Sequence, residues 1–306
     1  MYKIISDTSC DLTKKEIKDL GIEYVPFKIS IDGKDFTDDE NLNIDDFLEA
    51  MESTENPINT ACPSPYDYLK IIEENKDKDI YILTISSKLS GSYNSAKVAE
   101  AEAKEKFENL KIHVIDSKAA SAGTTRVALK LLDLVKEKDF EEIVKEIEKD
   151  TNLETTMFVL ESMKNLIKNG RIKKTAGLIA NVLNIRPIMI SNDGEIELFE
   201  INRGMKKSLD KMIKAIESKC KIEKPDLITI SYVANKERAE KLKEKIEELY
   251  EDVKVHIRHT NGLSSGYADT GGIVIAFWGE KCIKKIEEIT FKIKSMMPLK
   301  MKILKK

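Results

Sequence analysis

The stretch from Thr84 to Ala96 constrains this chain more than any other. It reads Thr-Ile-Ser-Ser-Lys-Leu-Ser-Gly-Ser-Tyr-Asn-Ser-Ala. An apolar run, Ile80 to Leu83, precedes it and reads as a buried strand, and alanine-rich helix-forming sequence through Ala99, Ala101 and Ala103 follows. A hydroxyl- and glycine-rich loop between a parallel strand and a helix is where α/β proteins hold anions. The helix N-terminus offers unpaired N–H groups and a partial positive charge, and Gly91 lets a ligand approach the backbone.

The rest of the first half alternates strand and helix patterns. Tyr2 to Ser6 predicts a strand, and Thr13 with Glu16 a capping box on a short helix. Tyr24 to Ile31 alternates like one strand, and Asp32-Gly33 is a hairpin signal. Ser64-Pro65 is a cap with proline at the first helical position. Strands are expected at 80–85 and 111–115, with a long helix over 119–136. This order predicts a mostly parallel sheet with helices on both faces. In the second half, Ile188–Ser191, Asn192-Asp193-Gly194 and Ile196–Ile201 read as an antiparallel hairpin. The expected fold is therefore α/β: an N-terminal, mostly parallel α/β/α domain over 1–152, and a C-terminal α+β domain with a mixed or antiparallel sheet over 153–306. A chain of 306 residues suits two domains.

Composition removes some classes of function. The near balance of 51 basic and 54 acidic side chains argues against a dedicated nucleic-acid binder. No run approaches the ~20 apolar residues of a membrane span, and the start reads as a first strand rather than a signal peptide. The scattered cysteines, Cys10, Cys62, Cys220 and Cys282, predict free thiols in a reducing cytoplasm and no zinc site. No phosphate-loop, dinucleotide-binding or nucleophile-elbow motif is present, so no cofactor is expected.

Hydroxyls recur at the carboxyl ends of the first-half strands: Asp7-Thr8-Ser9-Cys10-Asp11, Thr60-Ala61-Cys62-Pro63-Ser64, Ser86 to Ser92, and Asp116-Ser117-Lys118. In an open α/β sheet the ligand crevice lies outside these ends. Ser64 reads as a helix cap, whereas Thr60 and Ser92 have less obvious structural duties. Asp7 and Asp11 fit local backbone N–H groups as well as a ligand. Three readings stay open on these residues. The chain is a carrier of a lipid carboxylate, a binding module or sensor for another small anion, or an enzyme with Ser92 or Ser90 as nucleophile. The last needs a base, for which only His256, His259 or Asp7 offer themselves.

These clusters in this order resemble the DegV family of bacterial proteins. The resemblance runs from Ser6–Leu12 through Thr60–Ser64, Ile85–Tyr93 and Asp116–Lys118, then Leu166–Ile172, Leu183–Ile188 and Arg203–Lys207. It implies a two-domain α/β protein that binds a long-chain fatty acid between its domains and is not itself a catalyst. Some members serve as the binding subunit of a fatty acid kinase. By resemblance the carboxylate is held by Thr60 and Ser92, with Gly91 beside it and Ser90, Cys62 and Tyr267 as neighbours, and Arg203 lies on the face used by the kinase. Two positions depart from the family pattern: Cys62 stands where glutamine is usual, and Tyr267 or a neighbour replaces a histidine. Leu178, Ile179, Val182, Leu183, Ile188 and Ile190 are candidate tunnel linings. Residues 291–306 alternate apolar residues with lysines. They read as a packed terminal element with a basic end or, alternatively, as a transient contact with an anionic membrane surface.

Overall fold

The computed structural model describes residues 1–172, 184–219 and 225–279. The first part runs β1 (Tyr2–Asp7), α1 (Lys14–Leu20), β2 (Ile22–Val25), β3 (Lys28–Ile31), β4 (Lys34–Thr37), α2 (Ile44–Glu52), β5 (Asn59–Ala61) and α3 (Pro65–Glu74). It continues through β6 (Asp79–Thr84), α4 (Ser92–Lys106), β7 (Ile112–Asp116), α5 (Ala122–Leu134) and α6 (Phe140–Asn152). The second part runs β8 (Glu154–Val159), α7 (Lys164–Lys168), β9 (Ile188–Asn192), β10 (Glu195–Glu200) and α8 (Met205–Lys219). It ends with β11 (Leu227–Tyr232), α9 (Lys236–Leu249), β12 (Lys254–His259), α10 (Gly262–Ala268) and β13 (Ile273–Trp278).

Strands β2, β1, β6 and β7 form a parallel sheet in that order. The middles of its interior strands, Ile4-Ile5 and Ile80 to Leu83, are apolar, as a sheet covered on both faces requires. On one face Ile4, Tyr81, Leu83 and Ile115 pack against Val127, Leu131 and Ile147 of α5 and α6. On the other, Ile5, Ile80 and Ile82 meet Tyr68 and Ile72 of α3 and Ala96 and Ala99 of α4. Three of the helices start on complete capping boxes. Thr13 with Glu16, Ser64 with Asp67, and Asp139 with Glu142 each form a complete capping box.

The second sheet has six strands in the order β10-β9-β8-β13-β11-β12. Only β11 and β12 run parallel in it, and the other neighbours are antiparallel. The chain thus combines a parallel N-terminal sheet with a mixed C-terminal one. Helix α5 lies between the two sheets. Its start presses on the second sheet, where Thr229 Oγ1 donates to Ala122 O at 2.7 Å. A Cβ on Gly123 would lie 2.2 Å from Thr156 Oγ1, so only glycine permits this approach.

Two expectations need correction. Residues 24–31 are not one strand. Pro26, which cannot donate to a ladder, separates β2 from β3, and β3 leaves the parallel sheet to pair antiparallel with β4 and β5. The helix expected from residue 119 begins at Ala122, because Lys118 (φ 52°) and Ser121 (φ 57°) are left-handed. The small sheet β4-β3-β5 packs Ile29, Ile31 and Ile58 against Phe158, Leu166 and Val274 of the second part. The readings at Leu178, Ile179, Val182, Leu183 and 291–306 lie outside the described residues. Among the described residues no helix is long and apolar enough to cross a membrane.

Candidate functional site

The serine loop is built around Asp7 at the end of β1. Asp7 Oδ1 accepts from Ser9 N (3.2 Å) and Ser9 Oγ (2.6 Å). Its Oδ2 accepts from Ile85 N (2.9 Å) and Ser92 Oγ (2.6 Å). Burial pushes this carboxyl above its ordinary range, and the hydrogen bonds from Ser9, Ser92 and Ile85 act against that push. Ser92 gives its proton to Asp7 and accepts from Tyr68 OH at 2.7 Å. Both partners lie in the interior, and Ser92 is fully buried. Asp11 plays the matching role one turn on. It accepts from Ser121 Oγ (2.6 Å) and Asn261 N (2.9 Å), and burial pushes it upward too.

Above this frame lies a mostly apolar cavity between the two sheets, with about 850 Å³ of empty space, part of it open to solvent. The first half contributes Phe27, Ile85 and Leu89, and the second half Phe158, Leu166 and Val274. Thr60 of β5, Ser90 of the serine loop, Tyr267 of α10 and Arg171 are polar members of its wall. Thr60 Oγ1 and Tyr267 OH are hydrogen-bonded at 2.9 Å. Such a pair shares one proton between its oxygens and keeps the other to donate. Ser90 Oγ accepts from Ser92 N at 3.2 Å, leaving its own proton to donate. Arg171 Nε donates to Leu89 O at 3.1 Å, which sets the guanidinium beside the same loop.

Buried polar bonds bring these walls together. Asn165 of α7 accepts from Ile58 N (3.2 Å) and donates to Gly266 O (2.7 Å), fixing the residues that flank Thr60 and Tyr267. Asp38 accepts from Gly262 N (2.7 Å) and Leu263 N (2.8 Å), which anchors the start of α10. The turn of the β9–β10 hairpin docks on the serine loop, with Ser86 Oγ donating to Gly194 O at 2.8 Å. Gly194 has φ 84° and a Cβ there would meet Ser86 Oγ at 2.4 Å, so a larger residue would separate loop and hairpin.

Residues 1–278 match the family model described as "Uncharacterised protein, DegV family". A DegV domain-containing protein of Streptococcus pyogenes serotype M1 is 34% identical over 280 residues, covering 90% of this chain and 99% of its own. The chain belongs to the DegV family. A crystal structure of a DegV family protein from Ruminococcus gnavus, refined with vaccenic acid, is 35% identical. Its TM-score is 0.82, and the match covers 90% of this chain and 99% of that one. The Streptococcus pneumoniae Fatty Acid Kinase (Fak) B3 protein, loaded with linoleic acid, is 33% identical with a TM-score of 0.83. That match covers 91% of this chain and 99% of the other.

In this DegV chain the structure brings Thr60, Ser90 and Tyr267 to one wall. Ser92 is not part of that wall, because Asp7 and Tyr68 hold its hydroxyl in the interior. Gly91 caps α4 with an ordinary φ of −74°. Cys62 packs behind the wall on Phe27, Ile85 and Leu263. Arg203 is exposed just before α8, and its backbone bridges to Ile185. Ile188 and Ile190 belong to the core of the second sheet and not to the cavity, whose lining from the hairpin is Ser191 and Ile196. No histidine lines the cavity. His113 bonds Glu148, His256 bonds Arg258, and His259 is held between Ala234 N and Thr260 O. Arg171, Asn165 and Asp38 carried no reading of their own in the sequence. Arg171 entered only as part of the Leu166–Ile172 segment of the resemblance.

Proposed function

We propose that this protein binds a long-chain fatty acid in the cavity between its sheets and presents the carboxylate to a fatty acid kinase partner. The observation that carries the reading is an apolar cavity with hydroxyl donors and a guanidinium grouped in its wall. Relatives at 33% and 35% identity, the first of them a Fak protein, hold linoleic and vaccenic acid.

The physics suits a carrier. An acyl chain gains about 0.8 kcal/mol per buried CH₂, or roughly 10 kcal/mol for sixteen carbons before ordering costs. The carboxylate must be hydrogen-bonded to avoid a desolvation penalty. In this reading Thr60, Ser90 and Tyr267 donate to it, and Arg171 contributes positive charge. Ser92 acts one step back: its N–H orients Ser90 and its hydroxyl braces the loop on Asp7. The protein is a binding subunit and not a catalyst. Ser92 is buried as a nucleophile, and Ser90 has no histidine within the cavity to serve as its base. Arg203 faces the kinase.

Calorimetry with palmitate or oleate tests the reading. Binding should be saturable at about one site per chain. A protein that binds neither acid, yet takes up a short organic acid or sugar phosphate, overturns it. With kinase and ATP added, Arg203→Ala should reduce acyl phosphate formation while leaving fatty-acid affinity unchanged.

A further inference from the structure

The hydroxyls in the cavity wall fall into two kinds. Thr60, Tyr267 and Ser90 keep protons to donate. Ser9 and Ser121 have spent theirs. Ser9 Oγ donates to Asp7 and Ser121 Oγ to Asp11, each at 2.6 Å. Each carboxylate also accepts from the backbone, the Ser9 and Ile85 N–H groups on Asp7 and the Asn261 N–H on Asp11. The serines therefore present lone pairs to the cavity. They also stand together, since Ser121 N donates to Ser9 O at 2.9 Å.

A plain alkyl chain has nothing to give these acceptors. Packing methylenes against them removes water without a replacement bond, which disfavours binding. A second carboxylate would meet only lone pairs. The group that fits is a neutral O–H. We propose that Ser9 and Ser121 form an acceptor subsite for a hydroxyl group on the acyl chain, so that the preferred ligands are hydroxylated fatty acids. The inference rests on the fatty-acid reading above and specifies its substrate class. The two serines arise from separate segments, each held by a buried carboxylate, so the subsite is rigid before any ligand arrives.

The test is competition binding on the full chain with stearic acid and its 3-, 10- and 12-hydroxy derivatives. At least one positional isomer should bind about tenfold tighter than stearic acid, the worth of one well-formed hydrogen bond. Ser121→Ala should bring that isomer to within about twofold of stearic acid, with stearic acid itself bound no more weakly than before. Should that variant not fold, the isomer series on the unaltered protein decides the matter alone. If every isomer binds no better than stearic acid, the serines hold only water and the inference fails while the fatty-acid reading stands. An isomer advantage that survives both Ser121→Ala and Ser9→Ala also overturns it. If no eighteen-carbon acid binds at all, the fatty-acid reading fails and takes the inference with it.

Discussion

Thr60 and Tyr267, 207 residues apart in the chain, hydrogen-bond through their side-chain oxygens at 2.9 Å across the wall of the cavity. One comes from the small antiparallel sheet of the first half and the other from a short helix of the second. If this pair and Ser90 hold the fatty-acid carboxylate, Thr60→Ala and Ser90→Ala should each weaken binding roughly tenfold to a hundredfold, the usual worth of a hydrogen bond to a charged group. Tyr267→Phe should do the same while keeping the ring's packing on Phe27 and Leu263. Titration calorimetry reads the effect, and affinity unchanged in all three variants would remove these residues from the head-group site.

Asp38 gives the start of α10 a pH dependence. Burial pushes its carboxyl from 3.8 up to about 6, nearby Asp11 adds to the push, and the Gly262 and Leu263 N–H groups and Thr8 oppose it. The folded protein therefore holds a proton on Asp38 that the unfolded chain has already released between these values. The stability from this group is fully present below about pH 4 and is lost as pH rises through about 6, a change of about 3 kcal/mol. Asp38→Asn should remove that component. Urea denaturation of both proteins across this range checks it, and parallel stability curves would contradict it.

Among the described residues, Arg126 is the basic partner of two buried carboxylates, Asp150 on α6 and Glu154 on β8. Arg126→Met should destabilise the protein by about 3–5 kcal/mol, because both acids remain buried without their countercharge. Burial already holds Glu154 at about 7 despite the guanidinium. Without Arg126 it rises further, so the folded state favours the protonated form and the variant's deficit grows as pH increases. Chemical denaturation at neutral and alkaline pH would show this. A deficit that shrinks with rising pH would contradict it.

Asn165 ties Ile58 to Gly266 with the two ends of one amide. Asn165→Ala leaves a buried N–H and a buried C=O without that partner and should cost about 2 kcal/mol of stability. The same change loosens the elements that carry Thr60 and Tyr267, so fatty-acid affinity should fall as well. Stability lost with affinity fully retained would show that the Thr60–Tyr267 pair is held by other means.

Much of the scaffold is visible in the chain because its signals are local. The capping boxes at Thr13, Ser64 and Asp139 and the apolar run Ile80–Leu83 lie within a few residues of the elements they define. The break at Pro26 was harder, since the alternation of residues 24–31 continues through it and only the missing N–H ends the ladder. The site depended on long-range geometry. Thr60 and Tyr267 meet only once two sheets have packed. Ser90 and Ser92 look interchangeable until Asp7 and Tyr68 draw one of them inward. The motif alone does not distinguish a hydroxyl facing the cavity from one bracing the loop beneath it.

The most direct test of the central claim is mass spectrometry of the organic extract from freshly purified protein. The account predicts a long-chain fatty acid at close to one molecule per chain, released on denaturation. A protein that yields none, and instead carries a water-soluble anion, would contradict it.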